Sequence, residues 1–285
     1  MVRFFRDHVM KSAPVDLAKL EGIAKTLRKH IITSTTAAGS GHPTSSLSAV
    51  EIVNALYFGG ILRYDPKQPH WPARDRFILS KGHAAPLLYA AMAEAGYFSV
   101  DLLSTLRKIG SPLEGHPNLR RLPGVEASTG SLGQGLSIGL GHALAARLDG
   151  HPSRVFVLMG DGEINEGQVW EAAMAAQKYR ANNLIAIIDQ NGYQQTGATE
   201  QVLDLRPLAP KWSAFGWAAM EVDGHDQAAV LAALHQACAM QDRPSAIIAR
   251  TVKGYPIIDL LSEKNHHGKP LSAAEAEKAL ALINA

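Results

Sequence analysis

The chain opens on a helical pattern. Leu17, Leu20, Ala24, Leu27 and Ile31 recur on one face of a predicted helix over 16–38, with Asp16 placed to cap it. Gly39–Ser40–Gly41–His42–Pro43 ends that helix, and Ser45 to Tyr57 reads as a second one. Beyond Tyr57 the period changes. Short apolar runs rich in β-forming residues follow, each leading into a loop or a helix: Phe77–Leu79, Val155–Met159, Leu184–Asp189, Ala219–Val222 and Ala246–Ala249. Near-continuous apolar strands separated by helices imply a parallel sheet covered on both faces. The predicted fold is therefore α/β, a doubly wound, mostly parallel sheet with helices on both faces and ligands bound beyond the carboxyl ends of the strands.

Three further stretches complete the pattern. From Gln134 a helix rich in small residues carries Leu136, Leu140, Leu144 and Leu148 at four-residue steps; tight internal packing explains it, and a partner could also use that face. Residues 192–213 are polar, with two prolines and no steady period, and read as a long functional connection. Residues 272–283 read as a last helix. With no linker-like stretch and no internal repeat, 1–285 is taken as a single domain.

Composition narrows the classes. Apolar residues make up 46% of the 285, enough for a large core, while only 19% are charged, below the roughly 25% of soluble domains. That deficit suits either a surface covered by a partner or an ordinary alanine-rich enzyme. The net charge is +2 with scattered Lys and Arg, which gives nucleic-acid binding no support. A single cysteine, Cys238, excludes an intramolecular disulfide and lies on a helical pattern with Val230, Leu231 and Leu234, as a core thiol would. The segment MVRFFRDHVM is broken by charge and is not expected to be a signal peptide, and no apolar run approaches the ~20 residues of a membrane span. A cytoplasmic protein that does not enter the membrane is expected.

The chemistry begins at Val155. A buried strand runs into Gly160–Asp161–Gly162, a helix follows from about Glu166, and the strand Leu184–Asp189 delivers Asn191 into the next loop. Asp161 and Asn191 are 30 residues apart, one strand–helix–strand unit, and should emerge at the same edge of the sheet. Magnesium takes oxygen ligands from one or two protein groups plus substrate phosphates. Asp161 offers a carboxylate, Asn191 an amide oxygen, and the main-chain carbonyl of Tyr193 could complete the set. Gly160 and Gly162 would permit unusual backbone angles, leaving the Gly162 amide free to donate to an anion. This arrangement resembles the thiamine diphosphate signature, in which Gly-Asp-Gly is followed about thirty residues later by Asn.

Four histidine motifs sharpen the picture: Ser40–Gly41–His42–Pro43, Ser80–Lys81–Gly82–His83–Ala84, Glu114–Gly115–His116–Pro117 and His266–His267–Gly268. None lies on an apolar helical face. No close His/Cys pair has zinc-ligand spacing, and the adjacent His266 and His267 would struggle to share one ion. Together with Ser128–Thr129–Gly130–Ser131–Leu132–Gly133–Gln134–Gly135, these motifs look like those of transketolases, in the same order and over essentially the whole chain.

The resemblance implies a thiamine diphosphate-binding fold in which Asp161, Asn191 and the Tyr193 carbonyl hold Mg2+ (Ca2+ or Mn2+ as substitutes). It implies that Gly162 and Asn191 touch the diphosphate and that Gly130, Ser131 and Leu132 lie along the cofactor. His42 and His116 would bond sugar hydroxyls, and His83 and His267 would contact the diphosphate, with His267 able to join in proton transfer. Glu166 and Glu171, five apart and otherwise readable as solvated, would link paired active sites at a subunit interface. The family's pyrimidine-binding domain, with its activating glutamate, is expected to be absent from this chain. A separate C-terminal subunit carrying it is expected, in an α2β2 assembly acting on sugar phosphates. The alternatives are a deoxyxylulose phosphate synthase-like or 2-oxoacid dehydrogenase-like subunit, and a non-catalytic binding module.

Overall fold

The computed structural model describes residues 15–261 and 265–284; the MVRFFRDHVM segment lies outside them. Helix α1 (Leu17–Ala38) starts at Asp16, whose carboxylate accepts the Lys19 N–H at 3.1 Å, and stops at Gly39 in the left-handed conformation. Leu20, Ala24, Leu27 and Ile31 are buried along it, whereas Leu17, in the first turn, is 41% exposed.

The predicted helix over 45–57 is two helices, α2 (Pro43–Leu47) and α3 (Val50–Phe58). The break at Ser48–Ala49 has a physical partner: the Ser48 hydroxyl donates to the Asp189 carboxylate at 2.7 Å. That contact ties the helical layer to the end of a central strand.

Strands β1 (Arg76–Leu79), β2 (Val155–Gly160) and β3 (Leu184–Gln190) are joined through α4 (Ala85–Glu94), α5 (Gly135–Leu148) and α6 (Gly167–Lys178). Next come the short pair β4 (Tyr193–Gln194) and β5 (Gly197–Ala198), then α7 (Thr199–Val202), α8 (Leu208–Ala214), β6 (Ala218–Asp223), α9 (Gln227–Ala239), β7 (Ser245–Arg250) and α10 (Ala273–Asn284). The main sheet is five-stranded and wholly parallel, in the order β1-β2-β3-β7-β6.

Strand alternation divides the interior. Phe77, Leu79, Phe156, Leu158, Ile185 and Ile187 join the core under α1, α3, α4, α9 and α10. Ile78, Val157, Met159, Ala186 and Ile188 face the other core, under α5, α6 and α8. Helices thus cover both faces, as the apolar strands require.

Two expectations change. Residues 192–213, read as a long functional connection of no steady period, hold short elements of their own, the β4–β5 hairpin and two short helices, and α8 seals the second core with the fully buried Trp212, packed on Trp170 and Trp217. Cys238 is only partly buried at the edge of the first core, and burial pushes its thiol up to about 11. No helix among the described residues is long and apolar enough to cross a membrane.

Candidate active site

β2 and β3 lie side by side with Gly160 opposite Asp189, so the loops after them leave the same carboxyl edge. The Asp161 carboxylate accepts the Gly192 N–H at 2.7 Å across that gap, and the Gly162 N–H at 2.9 Å. The Gly162 amide, expected to be free for an anion, is therefore engaged. Neither Gly160 nor Gly162 adopts a positive φ. What demands glycine at 162 is space: a Cβ there would come within 2.6 Å of the Gln194 Cβ in the hairpin above. Asn191 is 9% exposed, and its Oδ1 accepts the Tyr193 N–H at 3.1 Å while its Nδ2 donates to Asp189 at 2.9 Å.

Burial, with the nearby Asp189 charge, pushes the Asp161 carboxyl up to about 7 against the pull of the two amides and Lys81. A divalent cation would relieve that penalty. Among the described residues no group of three His, Cys, Asp or Glu side chains could hold a metal. An ion at Asp161 would therefore draw on the amide oxygen of Asn191 and main-chain oxygen, a hard-donor set that fits magnesium.

Asp161, Gly162, Asn191 and Tyr193 line one cavity of about 450 Å³ together with His42, His83, His116, His267, Gly130 and Leu132. Three imidazoles form a triangle, with ring centroids 5.2 Å apart for His42–His83, 5.1 Å for His42–His267 and 5.3 Å for His83–His267. His116 packs against Gly130, whose φ is 147° and where an added Cβ would come within 3.0 Å of that ring. An added Cβ at Gly268 would likewise crowd His42, 3.2 Å from its Nε2.

All four rings are pushed towards the neutral form, burial being the largest cause in each. Arg107 adds to it at His42, which falls to about 4, and at His116. Lys81 adds to it at His83, and Lys253 at His267, which falls to about 3. Neutral imidazoles can accept a proton from a hydroxyl or donate one to an oxygen.

Four residues that carry the site escaped sequence reasoning. Asp189, fully buried, accepts from Lys81, Thr251, Ser48 and Asn191. Burial would raise its carboxyl, but the Lys81 charge and hydrogen bond hold it below the usual range. Glu163 accepts from Ser80, from the Gly133 N–H at 3.0 Å and from the Gly160 N–H at 3.1 Å, fastening three loops. Lys81 and Lys253, each 1% exposed, bring two cations to the cavity's edge. The available signals were an acid closing an apolar strand (Asp189), an acid after Gly-Asp-Gly (Glu163) and a lysine inside the Ser-Lys-Gly-His motif.

Two predicted residues, Ser131 and Glu171, fall outside this cavity, and a third, Glu166, sits at its mouth. Ser131 is exposed and does not line the cavity, because the loop turns its neighbours Gly130 and Leu132 inward instead. Glu166 is exposed at the cavity's mouth as the N-cap of α6. Glu171 is exposed on α6 away from the cavity, since five residues do not return to the same helix face.

A carboxylate and an amide side chain that line one cavity at the carboxyl edge of a parallel sheet, with four imidazoles around it, are what a thiamine diphosphate-binding α/β protein presents. The chain belongs to the transketolase family: residues 20–282 match its thiamine diphosphate binding domain. It is 45% identical over 235 residues to the 6-deoxy-6-sulfo-D-fructose transketolase subunit SqwG of Clostridium sp. (strain MSTE9), covering 82% of this chain and 85% of that one. It is 39% identical to an apulose-4-phosphate transketolase subunit from Phocaeicola vulgatus, covering 90% and 91%. The Campylobacter jejuni transketolase structure superposes with a TM-score of 0.88 at 30% identity, over 94% of this chain but 43% of that one. The chain thus spans most of two named subunits and about two-fifths of a full-length relative.

Proposed function

We propose that this chain is the diphosphate-binding subunit of a two-chain transketolase that moves a two-carbon ketol unit from a ketose phosphate to an aldose phosphate. The observation carrying the reading is the placement of Asp161 and Asn191 at one sheet edge, both lining the cavity that the four imidazoles line. The resemblance in size to two named transketolase subunits supports a separate partner. That partner is a C-terminal subunit with the pyrimidine-binding domain, in an α2β2 assembly.

Asp161, Asn191 and the Tyr193 carbonyl would hold Mg2+, and the metal with Lys81, which lines the cavity, would balance a diphosphate's charge. Thiamine diphosphate, when bound, supplies the carbon nucleophile for cleaving a carbon–carbon bond beside a ketone. This chain binds and steers. Gly130 and Leu132 line the cofactor's path, His42 and His116 orient sugar hydroxyls and can accept a hydroxyl proton, and His83 and His267 lie towards the diphosphate. Glu166 and Glu171, both exposed, are available to a neighbouring subunit.

Calorimetric titration of the chain with thiamine diphosphate and Mg2+, with and without the partner, tests the site. Binding should require Mg2+, and Asp161→Ala should weaken it by about tenfold or more, the loss of one charged metal ligand. No binding even with partner and metal would overturn the cofactor assignment. Turnover of xylulose 5-phosphate with ribose 5-phosphate, against pyruvate as control, tests the reaction; consumption of pyruvate instead would redirect it.

A further inference from the structure

Lys253 follows β7 and is a buried lysine without a carboxylate: among the described residues no Asp or Glu oxygen lies within ion-pairing distance of it. Its Nζ instead donates to the Asn265 Oδ1 at 2.9 Å and lies 2.8 Å from the His267 Nδ1. The Tyr193 ring, 6.0 Å away, closes another side. An ammonium carries only donors, so the nitrogen facing it must be the acceptor. We propose that Lys253 fixes the ring tautomer of His267, placing the imidazole's single proton on Nε2, so that His267 meets the cavity's contents as a hydrogen-bond donor and not as a base.

The charges support this assignment. Burial and Lys81 lower Lys253 to about 8, which still leaves it mostly an ammonium at pH 7. His267, lowered to about 3, stays neutral there. It lines the cavity with Nδ1 already taken, and Nε2 has no hydrogen-bond partner among the described residues. His42 differs, since its Nδ1 is buried with no partner and nothing commits that ring to one tautomer.

A donor at Nε2 suits an anionic oxygen, and Lys253 is then a positioning residue that acts through His267. The tautomer follows from the geometry alone, whereas its use on a diphosphate oxygen rests on the thiamine reading.

Long-range ¹H–¹⁵N correlation of the full chain, ¹⁵N-labelled at histidine and free of ligand at pH 7, reads the tautomer directly. The His267→Gln variant identifies the signals. The expected result is a protonated Nε2 and an unprotonated Nδ1. Lys253→Met, close in length and apolar, should release the ring into a mixture, while Lys253→Arg, which keeps a donor, should retain the wild-type pattern. A wild-type His267 protonated at Nδ1 would overturn the proposal whether or not any variant folds, and so would an unchanged pattern in a folded Lys253→Met protein. A second arm titrates inorganic diphosphate with Mg2+. The Nε2 signal should shift, and Lys253→Met should bind about tenfold more weakly, the usual scale for one charge-assisted hydrogen bond. If diphosphate leaves the signal unmoved while the Nε2 tautomer is present, the tautomer assignment stands and the diphosphate reading of the cavity is what fails.

Discussion

At the scale of residues, the site concentrates groups whose burial is costly in one protonation state. His42, His83, His116 and His267 are all depressed below their ordinary value near 6.5, so the unfolded chain takes up protons that the folded chain refuses. Their contribution is fully present above pH 6.5 and is lost as the pH falls towards the folded values, about 4 for His42 and about 3 for His267. Asp161, raised to about 7, works in the opposite direction, stabilising the metal-free fold as it gains its proton. The histidines' share is therefore read as a difference. The urea midpoint of a His42→Gln/His267→Gln variant should fall less than that of the wild type between pH 7 and 4.5, and equal falls would contradict the depressed values. The candidate site was largely legible at this scale, because His42, His83, His116 and His267 sit in loops beside glycine, proline or a strand end and have no role in an apolar face. Lys253 was not legible, since its significance depends on His267, 14 residues away, folding back on it.

At the scale of elements, short near-continuous apolar runs, each followed by a loop or a helix, revealed all five main strands to within a residue or two. The helix faces were harder to read. In α5, leucines at four-residue steps advance 400°, so the stripe turns ~40° off the core at each step. Leu136 and Leu140 are buried accordingly, Leu144 is partly buried and Leu148 is 88% exposed. The same rotation separates the glycines of α5 into two kinds. A Cβ at Gly139 would sit 2.5 Å from the Val157 Cγ2, against β2, whereas one at Gly141 would meet nothing within 4 Å. Gly141→Ala should therefore stabilise the chain by about 0.5–1 kcal/mol through helix propensity. Gly139→Ala should destabilise it by about 1–3 kcal/mol through overpacking. Thermal melting of the two variants checks the opposite signs, and a shared sign would mean that α5 lies differently on the sheet. The break between α2 and α3 was beyond local patterning, because Ser48 serves Asp189, 141 residues further on.

At the scale of the whole molecule, the cavity that gathers the candidate site residues opens at the surface. Glu166 and Leu132 line its mouth while remaining exposed, Leu148 and Tyr179 leave apolar surface at the C-terminal ends of α5 and α6, and Met174 is exposed within α6. Leu148 adjoins that last turn through Arg147, whose guanidinium donates to the Tyr179 carbonyl at 2.7 Å. A ligand that binds only the folded, assembled state stabilises it by mass action, by roughly 2.7 kcal/mol at a hundred times its Kd. The melting temperature of the chain mixed with its partner, thiamine diphosphate and Mg2+ should therefore rise above that of any incomplete mixture, and EDTA should reverse the gain. Activity should be negligible for either chain alone and should saturate at equimolar mixing. Sedimentation should give a mass equal to two copies of each chain. Full turnover by this chain without a partner would refute the two-chain reading while leaving the metal and cofactor site intact. A one-to-one complex with full activity would refute only the α2β2 assembly, and with it the role of Glu166 and Glu171 in joining paired sites.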